Sequence, residues 1–222
     1  MVFKADKLKI LYDLLFATYG PQHWWPGDGP FEVMVGAILT QNTNWSNVER
    51  AISTLKEEGV LDPYSLYKIS KKRLAGLIRP AGYFNIKAGR LKSFIRYFVE
   101  KHDGDAEKMK GSDMDSLRAE LLEVNGIGPE TADSILLYAL DKPVFVIDAY
   151  TKRVLHRHGL IDETAGYSEC QALFHKALPE DVKLFNEYHA LFVRVGKEHC
   201  RPKPRCETCP LNTPLLALTK CK

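Results

Sequence analysis

The chain has 222 residues, of which 45% are hydrophobic and 27% charged, and a formal net charge of +3. This length suits one compact domain or two small ones sharing a core, and the composition excludes disorder across the chain. No apolar run reaches the roughly 18–20 residues of a bilayer span, and the charged start MVFKADKLKI lacks the apolar core of a signal peptide, so a cytoplasmic protein with no membrane partner is expected. The modest positive charge permits a nucleic-acid partner without demanding one.

In chain order the periodicity is helical almost throughout. Residues 6–19 place Leu8, Leu11, Leu14 and Leu15 at helical spacing. The stretch Pro21 to Pro30 is rich in Pro, Gly and Trp and reads as a loop. Phe31 to Leu39 is apolar at most positions; it fits a helix buried on several sides, or a buried strand. The absence of an alternating partner segment favours the helix. Asn44 or Ser46 can cap a further helix through Val48, Ile52 and Leu55 that Gly59 closes. More helices fit residues 63–69, 71–78, 86–101 and 113–123. Strand-like alternation is scarce, so the expected class is all-α.

Residues 121–140 read as helix, tight turn, helix. Gly126 and Gly128 allow positive φ and the close approach of a ligand backbone, Ile127 between them would plug the turn into the core, and Pro129 suits a first helical position. Ala132, Ile135, Leu136, Ala139 and Leu140 share one face of the second helix. Backbone N–H groups at such a turn can grip phosphate. An ordinary helix–helix connection is the alternative. The apolar residue between the glycines favours DNA binding.

Val124-Asn125-Gly126-Ile127-Gly128-Pro129-Glu130-Thr131-Ala132, followed by Val146-Ile147-Asp148-Ala149-Tyr150-Thr151-Lys152-Arg153-Val154, resembles the helix-hairpin-helix and Gly/Pro…Asp signature of endonuclease III-type (HhH-GPD) DNA glycosylases. The resemblance runs from about Phe31 to Cys221. It implies two helical lobes with a central cleft. One lobe is a helical barrel domain carrying the hairpin, residues 26–140; the other joins 1–25 to 141–222. It also implies duplex DNA with a damaged base as the partner of a monomer, with Gly126, Gly128 and Thr131 at the DNA.

By the same resemblance Asp148 is the catalytic carboxylate. The chemistry agrees: breaking an N-glycosidic bond builds positive charge on the sugar, which a fixed carboxylate stabilises. Asp148 lies 20 residues beyond Gly128, as the family pattern has it. It could equally cap the helix that follows, and both roles can coexist. Where bifunctional members carry a nucleophilic lysine, this chain has Glu130. A carboxylate cannot form the imine of the strand-nicking lyase reaction, so a monofunctional, water-using glycosylase is expected.

A glycosylase holds an extruded base, and aromatic walls suit that task. His23-Trp24-Trp25-Pro26 and Leu39-Thr40-Gln41-Asn42-Thr43-Asn44-Trp45 contain all three tryptophans of the chain. These segments resemble the bacterial 3-methyladenine DNA glycosylase III branch. That likeness implies a base pocket lined by Trp24, Trp25, Pro26 and Trp45, with Glu130 nearby. Stacking on electron-rich rings favours a positively charged methylated purine, with a deaminated or oxidised base as the alternative substrate; a bifunctional glycosylase/lyase and a non-catalytic metal-stabilised DNA-binding module are the competing readings. Gln41 matches the residue that fills the gap in the duplex, or is an exposed helix-end amide. Ala81-Gly82-Tyr83-Phe84-Asn85-Ile86-Lys87-Ala88 resembles the second DNA-facing loop, where Gly82 gives close approach and Lys87 and Arg90 could reach phosphates.

Four of the five cysteines fall in the last 23 residues, with the spacing Cys200-x5-Cys206-x2-Cys209-x11-Cys221. Such a cluster favours metal ligation over a disulfide framework. The resemblance implies a [4Fe–4S] cluster, although the first and last gaps differ from the usual family spacing; tetrahedral zinc is the competing reading. The 3-methyladenine branch lacks this cluster, so the chain resembles one branch at its pocket and another at its end. Lys197, Arg201, Lys203 and Arg205 around the first ligands would meet a DNA backbone. Cys170 stands apart, as a small buried hydrophobe.

Overall fold

The structure, a computed structural model, describes residues 4–24 and 27–216. Among the described residues there are helices and loops and no strand, which is the expected all-α class. The helices are α1 (Lys4–Tyr19), α2 (Pro30–Leu39), α3 (Trp45–Glu57), α4 (Pro63–Lys68), α5 (Lys71–Leu77), α6 (Phe84–His102), α7 (Ala106–Lys110), α8 (Met114–Glu123), α9 (Pro129–Ser134), α10 (Ala149–Arg157), α11 (Tyr167–Ala177) and α12 (Val182–Glu198). Two 3-10 turns span Arg79–Ala81 and Pro214–Leu216, and α9 runs on into a π-turn, Ile135–Ala139.

Local chemistry explains most helix starts. Asn44, Asp62, Ser70, Asp105, Asp113, Asp148 and Asp181 stand just before helices, and each side chain accepts a first-turn N–H. Each such cap is worth about 1 kcal/mol. Pro30, Pro63 and Pro129 occupy first-turn positions, where the missing N–H costs nothing.

The chain divides into two compact units, Trp25–Lys142 and Met1–Trp24 with Pro143–Lys222. In the first, α2 is buried from Val33 to Leu39. It packs against α3, α6, α9 and the π-turn, which is why its sequence is apolar on every face. Helix α6 packs on α4 and α5 and supplies Phe94 and Phe98, which stack at 5.8 Å, with Phe31 stacked on Phe98. In the second unit α1 packs on α11 and α12, and α10 on α12. Its core is aromatic: Phe145 lies flat on Phe174 at 3.6 Å, Tyr188 stacks on Phe192 at 4.7 Å, and Phe185 meets Phe145 edge-on. The fully buried Tyr188 hydroxyl donates to the Leu8 carbonyl at 2.7 Å, tying α12 to α1.

Candidate active site and nucleic-acid interface

The hairpin of the first unit is α8, a turn through Val124–Gly128, and α9. Ile127 is 5% exposed and plugs the turn into the core. Gly126 has φ +89°, a conformation that L side chains rarely adopt, and a Cβ there would lie 2.2 Å from Arg90 Cγ. Glycine at 126 therefore makes room for the stem of Arg90 below the turn. Gly128 differs from expectation: its φ is −98° and a Cβ would meet nothing within 4 Å, so neither backbone nor packing requires glycine there.

Three of the expected DNA-facing residues meet at this turn. Gln41 Nε2 donates to the Gly126 carbonyl at 3.0 Å and to Thr131 Oγ1 at 2.9 Å, while its Oε1 accepts from the Arg90 guanidinium. Gln41 is thus half-buried and fully engaged, not a loose amide at a helix end. The hairpin helices are clamped by an ion pair: Arg118 of α8 holds the fully buried Asp133 of α9 through two contacts, at 2.6 and 3.1 Å. Glu130 is exposed in the first turn of α9.

The structure overturns the reading of Lys87. Its side chain is 1% exposed, and Nζ donates to the carbonyls of Leu39 and Ala81, both at 2.7 Å. Burial, then the nearby Arg90 charge, brings its pKa down to about 8. This ammonium cannot reach a phosphate; it staples the end of α2 to the 3-10 turn before Gly82. Beyond it Gly82 and Tyr83 both have positive φ, and Tyr83 is 67% exposed. Trp45 opens α3 half-buried, and its indole N–H donates to Glu49 at 2.7 Å.

In the second unit Asp148 caps α10: Oδ1 accepts the Thr151 N–H at 2.7 Å. The apolar run before it, Val144–Ile147, is no strand. Side chains of α11 hold it instead: His175 Nε2 lies 3.2 Å from the Phe145 N–H, Gln171 donates to the Phe145 carbonyl at 2.8 Å, and the Tyr167 hydroxyl lies 3.3 Å from the Ile147 N–H. The second oxygen, Oδ2, lies 3.7 Å from Nε2 of His189 on α12. Both side chains are largely sheltered, 12% and 6% exposed. Burial lowers the His189 pKa and the Asp148 charge opposes it. His189 is the site neighbour that sequence reading missed. It sits among Phe185, Tyr188 and Phe192 on a helix whose pattern reads as core.

Helix α10 also contacts the cysteine loop. Arg153 Nε donates to the Cys200 carbonyl; Arg157 donates to Cys200 Sγ at 3.2 Å, to the Arg201 carbonyl at 2.7 Å and to the Pro202 carbonyl at 3.0 Å. Tyr150 lies so close to α12 that a Cβ on Gly196 would fall 2.4 Å from its ring. Lys152 is committed to the Ala165 carbonyl at 3.0 Å. Trp24 is half-buried, with Lys197 Nζ 5.8 Å from its ring centroid.

Cys200 is buried, and Cys206 and Cys209 are half-buried in the loop that follows. Among the described residues no three His, Cys, Asp or Glu side chains are arranged to hold a metal ion. The donor chemistry nevertheless suits one. Burial raises the Cys209 thiol pKa and the charges of Cys200 and Cys206 raise it further, so the three sulfurs share one electrostatic neighbourhood. A bound cation would relieve that repulsion, and Arg157 already faces one sulfur. Cys221, Trp25 and Pro26 lie outside the described residues. Lys203 and Arg205 are exposed, and Cys170 is fully buried in α11.

Comparison with known proteins gives this arrangement its class. The family described as HhH-GPD superfamily base excision DNA repair protein matches residues 35–180. The chain belongs to the HhH-GPD superfamily and is a DNA repair glycosylase. It is 50% identical over 210 residues to the protein named "Putative DNA repair glycosylase MJ1434" of Methanocaldococcus jannaschii, covering 94% of this chain and 95% of that one. Endonuclease III of Thermotoga maritima is 33% identical over 181 residues, covering 81% of this chain and 79% of that protein. The solved structure of H. pylori 3-methyladenine DNA glycosylase (MagIII) bound to 1,N6-ethenoadenine aligns with a TM-score of 0.77 at 29% identity, over 89% of this chain and 98% of that one. A non-covalent endonuclease III–DNA complex shares the fold, with a TM-score of 0.83 at 22% identity over 100% of this chain and 97% of that one.

Proposed function

We propose that the protein is a monofunctional glycosylase that hydrolyses the N-glycosidic bond of a damaged base flipped out of duplex DNA, an alkylated purine such as 3-methyladenine. The setting of Asp148 carries this reading. One carboxylate oxygen is fixed by the Thr151 N–H while the other stays available in a largely dry surround, where its charge acts strongly on a developing sugar cation. The hairpin turn at Gly126 and Gly128, with Thr131, supplies the grip on the DNA backbone, and Gln41 and the Gly82–Tyr83 loop face the duplex. Trp24, Trp25, Pro26 and Trp45 receive the base; their electron-rich rings suit a cation that leaves readily.

Water as the nucleophile is supported by Glu130, an exposed carboxylate at the family's lysine position, and by Lys152, which a carbonyl already holds. The alkylated-purine substrate is supported by the 29% identity to MagIII. Cys200, Cys206 and Cys209, with Cys221, would hold a [4Fe–4S] cluster that braces the loop and takes no part in bond cleavage.

The test is base release from a panel of duplexes carrying methylated, deaminated or oxidised bases, with and without alkali. Release of methylated purine is expected, with strand breaks only after alkali. Asp148→Asn should slow release at least about 100-fold; equal release by both forms would refute the carboxylate's role. Borohydride should trap no covalent DNA adduct, and an adduct would overturn the reading of Glu130. A visible iron–sulfur absorbance band is expected, and a colourless zinc protein would correct the metal.

A further inference from the structure

The imidazole of His189 stands opposite the one Asp148 oxygen that the helix cap leaves open, and the proposed chemistry gives it no part. We propose that His189 is a positioning residue for Asp148: it presents Nε2–H to Oδ2 and holds the carboxylate plane, charged, toward the sugar. This inference rests on the reading of Asp148 as the catalytic carboxylate.

The geometry argues for it in three ways. Asp148 has one strong anchor, the Thr151 N–H on Oδ1, so the group could still turn about that bond. His189 Nε2 faces the other oxygen from α12 at 3.7 Å, within electrostatic reach and a few tenths of an ångström longer than a closed hydrogen bond. Catalytic contacts of this kind are often long in the free protein and tighten in the complex. His189 itself cannot wander: it is 5% exposed, and its ring meets Phe145 edge-on at 6.5 Å.

The protonation state fits the task. A bare Nε2 lone pair aimed at a carboxylate oxygen would repel it, so the Nε2–H tautomer is favoured. Burial disfavours the imidazolium, which would otherwise neutralise the charge the sugar cation needs. Charged groups on the elements packed around α12 have their own partners. Lys152 and Arg153 of α10 bond the Ala165 and Cys200 carbonyls, and His175 of α11 faces the Phe145 N–H and Glu180. On α12 itself, Glu187 accepts the Gln22 N–H and Arg194 pairs with Glu198.

Two measurements test it. The first needs no substrate: ring nitrogen NMR of the intact protein at neutral pH should show His189 neutral with its proton on Nε2, shifted by Asp148→Asn. A proton on Nδ1, or no response to Asp148→Asn, would overturn the proposal. The second compares His189→Phe with His189→Gln in single-turnover base release from methylated duplex DNA, with affinity for the same DNA and melting temperature measured alongside. His189→Phe should slow release roughly 10- to 100-fold with affinity unchanged, and His189→Gln, which keeps an N–H donor, should recover most of the rate. Equal loss in both variants, or a loss that follows affinity or melting temperature, would refute it. In the Asp148→Asn background His189→Phe should add no further loss. If Asp148→Asn itself releases base normally, the catalytic reading fails; if only the His189 variants do, this inference alone fails.

Discussion

The two units of the chain bury ionisable side chains in opposite ways. Residues 25–142 bury charge and pair it: Lys87 is stapled to two carbonyls and Asp133 is clamped by Arg118, while the half-buried Lys92 donates to three carbonyls. The other unit buries bases and keeps them neutral: His158 and His189 lie 3% and 5% exposed, their pKa values pushed down by burial. His102, at the end of α6, is the first unit's one departure from its own habit among the described residues; burial lowers its pKa too. The lesson concerns what holds each functional loop. In the first unit ionic staples fix the hairpin and the loop ends. In the second, a helix cap and close packing hold the Asp148 carboxylate.

The contrast breaks most severely at Asp133. Asp133→Ala removes the fully buried carboxylate that Arg118 holds in two contacts, and should cost about 3 kcal/mol of unfolding free energy in a urea titration. Replacing both, Asp133→Leu with Arg118→Met, should recover much of that loss, because a well-packed apolar pair escapes the desolvation penalty. A single substitution costing under about 1 kcal/mol would mean that the hairpin is held by packing like the other unit.

Acid should act next most strongly, and through the second unit. Burial brings the His158 pKa down to about 4 from 6.5, with the Leu216 carbonyl pulling it back. The unfolded chain binds this proton below pH 6.5 while the folded chain refuses it down to about pH 4. Stability therefore falls as pH drops through that window, by roughly 3 kcal/mol from this one group. Denaturant titrations at stepped pH should show this slope in the parent and lose most of it in His158→Gln. Equal slopes in both would place the acid sensitivity elsewhere.

Much of this architecture was legible in the residues. Helical spacing located α1 to α6 and α8, the cap at Asn44 and the end at Gly59 were readable, and Asp148 was visible both as a cap and as a candidate carboxylate. The errors share a cause. Lys87, next to a glycine loop, reads as a phosphate contact. Its real partners are carbonyls 48 and 6 residues away, and no local pattern reveals that convergence. His189 was hidden likewise, since its significance lies in α10 packing on α12. The loose-amide alternative for Gln41 fails for the same reason, because its partners Gly126 and Thr131 lie 85 and 90 residues away. A sequence states which side chains can carry charge; whether a charge ends inside or outside depends on long-range packing.

The smallest effect sharpens the comparison within the hairpin itself. Gly126 and Gly128 look alike in sequence but answer to different constraints. Gly126→Ala must adopt φ near +89° and push its Cβ into the stem of Arg90, which also holds Gln41, so a loss of about 1–2 kcal/mol is expected. Gly128→Ala meets ordinary backbone and open space, and should change stability by no more than about 0.5 kcal/mol. If the turn grips DNA as proposed, that open space is where the phosphate backbone comes closest. Gly128→Ala should then weaken binding to duplex DNA while leaving the urea midpoint in place. A variant that binds duplex normally would show that glycine at 128 serves neither fold nor DNA contact, and the grip would have to be assigned to other backbone amides of the turn.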